Sequence, residues 1–289
     1  MRKPQVQFKA PLKEYCTYAI GGPAKELVHA YTKEEMKEFL LYAKRLNKRY
    51  IVIGKGSNCL FDDRGFDGLV IINKIQEIKW NEGSVIAGGG YSFSLLGTQA
   101  SRKGFSGLEF ASGIPGTVGG AVYMNAGAGQ SETKDDLLEV EFLHESGCVE
   151  IFKREVLEFS YRKSLFQSIK GVILSATFMI REASDAKEKQ EKLLAYRLET
   201  QPYKDRSCGC VFRNPEGDSA GRLIDSLGLK GLTQGGAKIS EAHANFIVNH
   251  NSASADDILD LIKYIQIKAK HHAGIHLEPE VKYISYDDN

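Results

Sequence analysis

Thirteen of the chain's 29 glycines fall between Gly83 and Gly129. The stretch lacks the serine and proline bias of a linker. Glycine loses more backbone freedom on ordering than any other residue, so such density marks backbone that must pass where a side chain would collide or take a φ that other residues avoid. The glycines therefore describe a tightly wound, side-chain-poor surface inside a folded domain. A chain of 289 residues, 42% hydrophobic and 26% charged, has the apolar mass for one large or two modest cores around that surface, which excludes disorder and fibre. Lys plus Arg (38) nearly balance Asp plus Glu (37), leaving a formal charge of +1 and no field to attract nucleic acid or an anionic membrane. Any phosphate must be gripped locally.

Hydrophobic periodicity places the elements. Thr32-Lys33-Glu34-Glu35 has the spacing of a capping box, and Met36, Phe39, Leu40, Ala43 and Leu46 recur behind it, predicting a helix over 33–47. Tyr50–Gly54, 69–72 and 84–87 read as strands, as do 137–144 and 171–180. A polar helix over 185–200 ends before Pro202, which sets a domain boundary. Beyond it the sequence predicts a strand at 208–213, a helix at 219–227, a strand at 245–248, a capped helix from Ser254 to Gly274 and a last strand near 280–285. The chain divides into 1–75, 76–200 and 201–289. The N-terminal residues lack the apolar core of a signal peptide, and no stretch approaches the roughly eighteen apolar residues of a membrane span, so a cytoplasmic protein is expected. Five cysteines, an odd number, suit a reducing compartment.

Three segments could carry chemistry. Gly54-Lys55-Gly56-Ser57-Asn58 follows a strand, so its N–H groups can converge on an anion, although the spacing matches neither a dinucleotide fingerprint nor a Walker loop. A plain tight turn is the alternative. Gly113-Ile114-Pro115-Gly116-Thr117-Val118-Gly119-Gly120-Ala121 offers either a rigid ligand platform or close backbone packing between lobes, and Asn125-Ala126-Gly127-Ala128-Gly129 extends it. Cys208-Gly209-Cys210 lacks the partners of a zinc site and is too extended for an easy disulfide, leaving a reactive thiol or small buried fillers. Cys16, Cys59 and Cys148 read as buried fillers, and His243 is open to more than one role.

In chain order the segments resemble the UDP-N-acetylenolpyruvoylglucosamine reductase family. The resemblance runs through Thr17–Gly22, Gly54–Asn58, Gly107–Phe110 into Gly113–Ala121, Met124–Gly127, Ser160–Ser164, Gly209–Pro215, Ala242–Phe246 and Leu277–Val281. It implies an α+β chain: a two-lobed FAD-binding domain of the vanillyl-alcohol-oxidase type, followed by a C-terminal α/β substrate-binding domain over 201–289. It also implies FAD held by Gly54, Lys55, Gly56, Ser57, Asn58, Gly113, Ile114, Pro115, Gly116, Thr117, Gly119, Gly120, Ala121 and Asn125, with NADPH as reductant. The small-molecule partner is a nucleotide sugar, met by Tyr161, Arg213 and Asn214, and a bland composition points to a monomer without metal.

In such enzymes a hydride reaches the vinyl carbon of the enolpyruvyl group, an enolate develops against a carboxylate, and the neighbouring carbon takes a proton. Matched to the family's pattern, Arg162 supplies the cation, a protonated Glu280 donates to the enolate, and Cys210 stands where the family usually has a serine proton donor. A thiol, with a reference pKa near 8.5, gives up a proton far more readily than an alcohol. Gly129 departs as well, at a position where the family often has tyrosine. A flavin oxidase of the same fold is the rival reading; it would share the FAD segments without needing Arg162, Cys210 and Glu280 together.

Overall fold

A computed structural model describes residues 6–287. The described residues pack as two compact units: the first takes 6–7 with Leu27–Gly54 and Gly68–Arg197, the second Phe8–Glu26, Lys55–Asp67 and 198–287. The stretch 1–75 thus contributes to both.

In the first unit, helix α1 (Lys33–Arg45) starts where the Thr32 hydroxyl accepts the Glu35 N–H at 3.2 Å. The reciprocal half of the box is shifted by one residue, because the Glu35 carboxylate takes the Tyr31 N–H instead, at 2.7 Å. Met36, Phe39, Leu40 and Ala43 are buried against Leu69 and Ile71 and against Leu143, Val172 and Leu174. Strand Tyr50–Ile53 runs parallel to Phe66–Asn73, with Tyr50 opposite Leu69 and Ile53 opposite Ile72. Covered strands of this kind read as unbroken apolar runs.

The unit's main sheet is five-stranded and antiparallel, in the order Val149–Lys153, Leu137–His144, Gly171–Met179, Ser84–Gly88, Ile78–Asn81. Helices α2 (Phe93–Arg102) and α3 (Val118–Met124) contribute Phe93, Leu96, Val118 and Val122 to its core, beside Phe110, Phe142 and Phe178. Neither helix is legible by periodicity, because Gly97, Gly119 and Gly120 lie inside them and a helical glycine costs about 1 kcal/mol relative to alanine. Helix α4 (Ala186–Thr200) buries little beyond Ala186 and Gln190 and stops ahead of Pro202.

In the second unit, helix α5 (Ala220–Ser226) and helix α6 (Ala255–Ala273) accompany a three-stranded antiparallel sheet, Thr233–Gln234, Ala237–Ile239 and Ile247–Asn249. Ser254 and Asp257 close a full capping box on α6, and Ile258, Leu261, Ile262 and Ile265 line its buried face. The last strand, Lys282–Ile284, runs parallel to Cys59–Phe61. Buried Asp62 anchors it, accepting from the Tyr283 hydroxyl at 2.9 Å and from the Arg64 guanidinium at 2.7 Å. The Arg64 bond holds the Asp62 carboxyl well below the usual carboxylate range.

Two sequence expectations are corrected. Residues 208–213 form no strand: Gly209 has φ +79°, which turns the chain, and only Phe212 makes a bridge, to Pro279. Cys148 is exposed rather than buried, because it lies just past the turn at Gly147 that joins strands Leu137–His144 and Val149–Lys153. Among the described residues no helix is long and apolar enough to cross a membrane.

Candidate functional site

The first unit builds the platform. A Cβ on Gly54 would lie 2.3 Å from the Thr117 Oγ1, so the end of strand Tyr50–Ile53 and the start of α3 touch only because residue 54 is glycine. Thr117 caps α3 through the Gly120 N–H, and the Gly119 N–H donates to the Gly89 carbonyl at 2.9 Å. Ile114 and Ala121 turn into the core, while Pro115 and Gly120 are exposed and Gly116 is half-buried. A Cβ on Gly120 would meet nothing closer than 3.6 Å. Packing therefore explains Gly54 and Gly119 and leaves Gly120 unexplained, an exposed helical glycine beside an exposed proline. That bare surface fits a cofactor lying against backbone.

Asn125 ends α3 in the left-handed conformation, φ 43°. Its amide nitrogen donates to Glu132 and to the Ser160 carbonyl, each at 3.0 Å, and its oxygen accepts the Lys134 N–H. The side chain thus holds two hairpins together and is already engaged by the protein's own groups. Gly129, φ +65°, opens the two-residue loop between Gly127–Ala128 and Ser131–Glu132, a position that favours glycine in such turns. The tyrosine common at this place would be strained in this loop.

Tyr161 and Arg162 form the two-residue loop of the hairpin Phe159–Ser160 and Lys163–Ser164. Arg162 takes φ 58°, unusual for a residue with a long side chain. Its guanidinium donates to the Gly127 carbonyl at 3.3 Å and lies 4.8 Å from the centre of the Tyr161 ring. Strained backbone held in place by bonds on both sides is a recurring feature of functional loops.

The second unit carries the remaining candidates. In the Lys55–Asn58 loop, the N–H groups of Gly56 and Ser57 take no acceptor from the described residues, the arrangement of an anion nest, while the Asn58 N–H faces the Cys59 thiol. The loop is fixed from behind: the Asn58 amide donates to the Glu280 carbonyl at 3.1 Å and the Asn58 carbonyl accepts the Lys282 N–H at 3.0 Å. Two open donors on a rigid loop fit a phosphate group. Glu280 in turn donates its N–H to the Val211 carbonyl at 2.7 Å, which brings the backbone of the carboxyl-bearing residue beside that of the thiol-bearing Cys210. Arg213 pairs with Glu278 at 3.0 Å, and its buried Nε has no partner. Asn214 accepts the Ala220 N–H at 3.1 Å, fixing the entry to α5.

The two cysteines of the Cys-Gly-Cys segment differ in environment. Cys208 is buried, donates to the Cys59 carbonyl at 3.2 Å, and its thiol is pushed well up by that burial. Cys59 is likewise pushed up to about 12 by burial. Cys210 is half-buried. Cys208 is therefore an inert filler and Cys210 the thiol open to chemistry.

Sequence reasoning passed over Asn245. Its side chain spans Phe212, accepting the N–H at 2.9 Å and donating to the carbonyl at 2.8 Å, while its own carbonyl accepts the Val211 N–H at 2.8 Å. The His243 Nδ1 accepts the Asn245 N–H at 3.2 Å, and burial lowers the His243 pKa, so this histidine is a neutral brace. Among the described residues no group of three or more His, Cys, Asp or Glu could hold a metal ion.

Residues 24–152 match a family described as FAD binding domain, and residues 201–284 match the UDP-N-acetylenolpyruvoylglucosamine reductase C-terminal domain. The chain is 51% identical to a UDP-N-acetylenolpyruvoylglucosamine reductase of Protochlamydia amoebophila over 99% of its own length and 96% of that protein's. It is 48% identical to that of Chlamydia muridarum, covering 98% and 96%. The crystal structure of the Thermus caldophilus enzyme superimposes with a TM-score of 0.82 at 37% identity, covering 98% of this chain and 99% of that one.

Proposed function

The chain belongs to the UDP-N-acetylenolpyruvoylglucosamine reductase family, and from that premise we propose which of its residues carry the reduction. It is an FAD-dependent oxidoreductase of peptidoglycan precursor synthesis that takes its electrons from NADPH. FAD, when bound, would supply the hydride chemistry that links NADPH to the vinyl carbon of the enolpyruvyl group, and the residues of this chain bind, orient and protonate around it.

The Lys55–Asn58 loop, through the N–H groups of Gly56 and Ser57, would hold a phosphate of the cofactor, and Pro115, Gly116 and Gly120 would offer it bare backbone. Arg162 meets the substrate carboxylate with a planar guanidinium, stabilising the negative charge that develops. Glu280, protonated, donates a hydrogen bond to the enolate oxygen. Cys210 then gives its proton to the neighbouring carbon, yielding the saturated lactyl ether, and the thiolate is reprotonated from solvent. Tyr161, Arg213 and Asn214 orient the nucleotide sugar. The observation that carries this assignment is the 2.7 Å bond from the Glu280 N–H to the Val211 carbonyl, which ties the backbone of one proposed acid to the residue next to the other. Stretches 1–75 and 76–200 hold the cofactor, and 201–289 holds the substrate together with Tyr161 and Arg162. A bland composition points to a monomer, and five cysteines, an odd number, suit the cytoplasm.

A spectrum tests the reading. The purified protein is expected to be yellow, to bleach with NADPH under anaerobic conditions, and to regain its flavin absorbance when the enolpyruvyl nucleotide is added. Restoration by oxygen but not by that nucleotide would turn the assignment toward an oxidase of the same fold.

A further inference from the structure

Segment 211–213 behaves as a strand without belonging to a sheet. One side is bonded to the C-terminal stretch: the Val211 carbonyl accepts the Glu280 N–H, the Arg213 N–H donates to the Glu278 carbonyl at 3.0 Å, and Phe212 bridges Pro279. The other side is bonded to Asn245 alone, through three contacts between 2.8 and 2.9 Å. A primary amide has the same donor and acceptor pair as a peptide group, so the Asn245 side chain does for Phe212 what a neighbouring strand's backbone would do. Asn245, Val211 and Phe212 are all buried to 2% exposure or less, which keeps water from competing for these bonds.

We propose that Asn245 is a positioning residue for the proton-transfer step: by fixing residues 211–212 it sets the backbone from which Cys210 extends and, through the Val211 carbonyl, the backbone of Glu280. The inference rests on the roles given above to Cys210 and Glu280. The His243 brace on the Asn245 N–H gives the half-buried histidine in the loop before strand Ile247–Asn249 a role that needs no ionisation.

Asn245→Asp is the sharpest variant, since it keeps the shape and the acceptor but replaces the donor to the Phe212 carbonyl with a second oxygen. In the flavin-loaded protein, NADPH should bleach the flavin at the wild-type rate, while reoxidation by the enolpyruvyl nucleotide slows about 10- to 100-fold with little change in KM, the scale expected when a reacting group is displaced by about 1 Å. A readout free of turnover is alkylation by iodoacetamide followed by mass spectrometry: labelling of Cys210 should change several-fold while that of exposed Cys148 does not. Asn245→Ser, a smaller residue that abolishes the amide bonds, should behave alike.

Wild-type reoxidation and Cys210 labelling in either folded variant would overturn the proposal. Equal loss of both half-reactions, or failure of both variants to fold with flavin, would overturn it too, by making Asn245 a residue of general stability. Cys210→Ala and Glu280→Gln measured alongside separate the two levels. If those variants reoxidise normally, the assignment of the acids fails; if they are crippled and Asn245→Asp is not, only the positioning role fails.

Discussion

The two units solve the problem of presenting a surface to a ligand in opposite ways. The first removes side chains: Gly54 lets Thr117 approach, Gly119 lets α3 rest on Gly89, and Gly120 leaves the outer face bare. The second adds polar side chains that stand in for missing sheet, with Asn58 bonded to Glu280 and Asn245 to Phe212. A surface built by sterics should respond to added volume, whereas one built by hydrogen bonds should respond to isosteric changes of donor and acceptor. Substitutions in the glycine platform and in the asparagine-braced segment 211–213 should therefore fail differently, the first through flavin binding and stability, the second through one chemical step.

The largest effect should come from the second unit. A single general acid typically contributes about 10²–10⁴ in rate, so Cys210→Ala should bleach normally with NADPH yet reoxidise slower by that order. Cys210→Ser, which restores an exchangeable proton, should recover much of the loss. Glu280→Gln should likewise spare bleaching and impair reoxidation. Stopped-flow absorbance resolves the two half-reactions, and near-normal reoxidation of folded, flavin-loaded Cys210→Ala would place the proton donor elsewhere.

The contrast also decides what could be read from the sequence. Helix α1, the strand at Tyr50–Ile53 and the Ser254 cap follow from residues within a turn or two of each other, and local pattern placed them. The same locality hid α3, because Gly119 packs on Gly89 and Gly120 stands exposed where helix propensity would place alanine. Residues 208–213 look like a strand because Cys208, Cys210 and Phe212 alternate with other residues, but the turn at Gly209 ends that pattern. The Asn58 and Asn245 bonds join residues 222 and 33 positions apart, so although both asparagines lie in segments the sequence singles out, local pattern does not show what their side chains hold. Motif order located the proposed acids; only the fold shows what holds their backbones.

A middle-sized effect should follow from adding volume in the first unit. Gly54→Val would drive a branched side chain into Thr117, whose Oγ1 is 2.3 Å from where even the first carbon would sit. Overpacking of this kind costs about 1–3 kcal/mol. The melting temperature should fall and flavin should be lost on gel filtration, whereas refolded protein resupplied with FAD should still reoxidise at a normal rate once loaded. A slow reoxidation step at full flavin occupancy would show that the division of labour between the units is not as drawn.

The smallest effect is the most discriminating, because two readings of Gly120 predict opposite signs for two observables. If the residue is glycine only by drift, Gly120→Ala fills open space on an exposed helical position and should stabilise the protein by up to about 1 kcal/mol, with flavin affinity unchanged. If the bare surface exists for the cofactor, the apoprotein should gain that stability while the holoprotein does not, because a methyl group then stands between backbone and ligand. The two are separated by measuring melting temperatures with and without FAD and titrating FAD into apoprotein. Since stabilisation by a ligand scales with the logarithm of its concentration over Kd, a tenfold weaker cofactor should remove about 1.4 kcal/mol of holoprotein stability at saturating FAD, enough to reverse the sign of the change. A variant that is more stable in both states and binds FAD as tightly as the parent would leave Gly120 without a role in the platform.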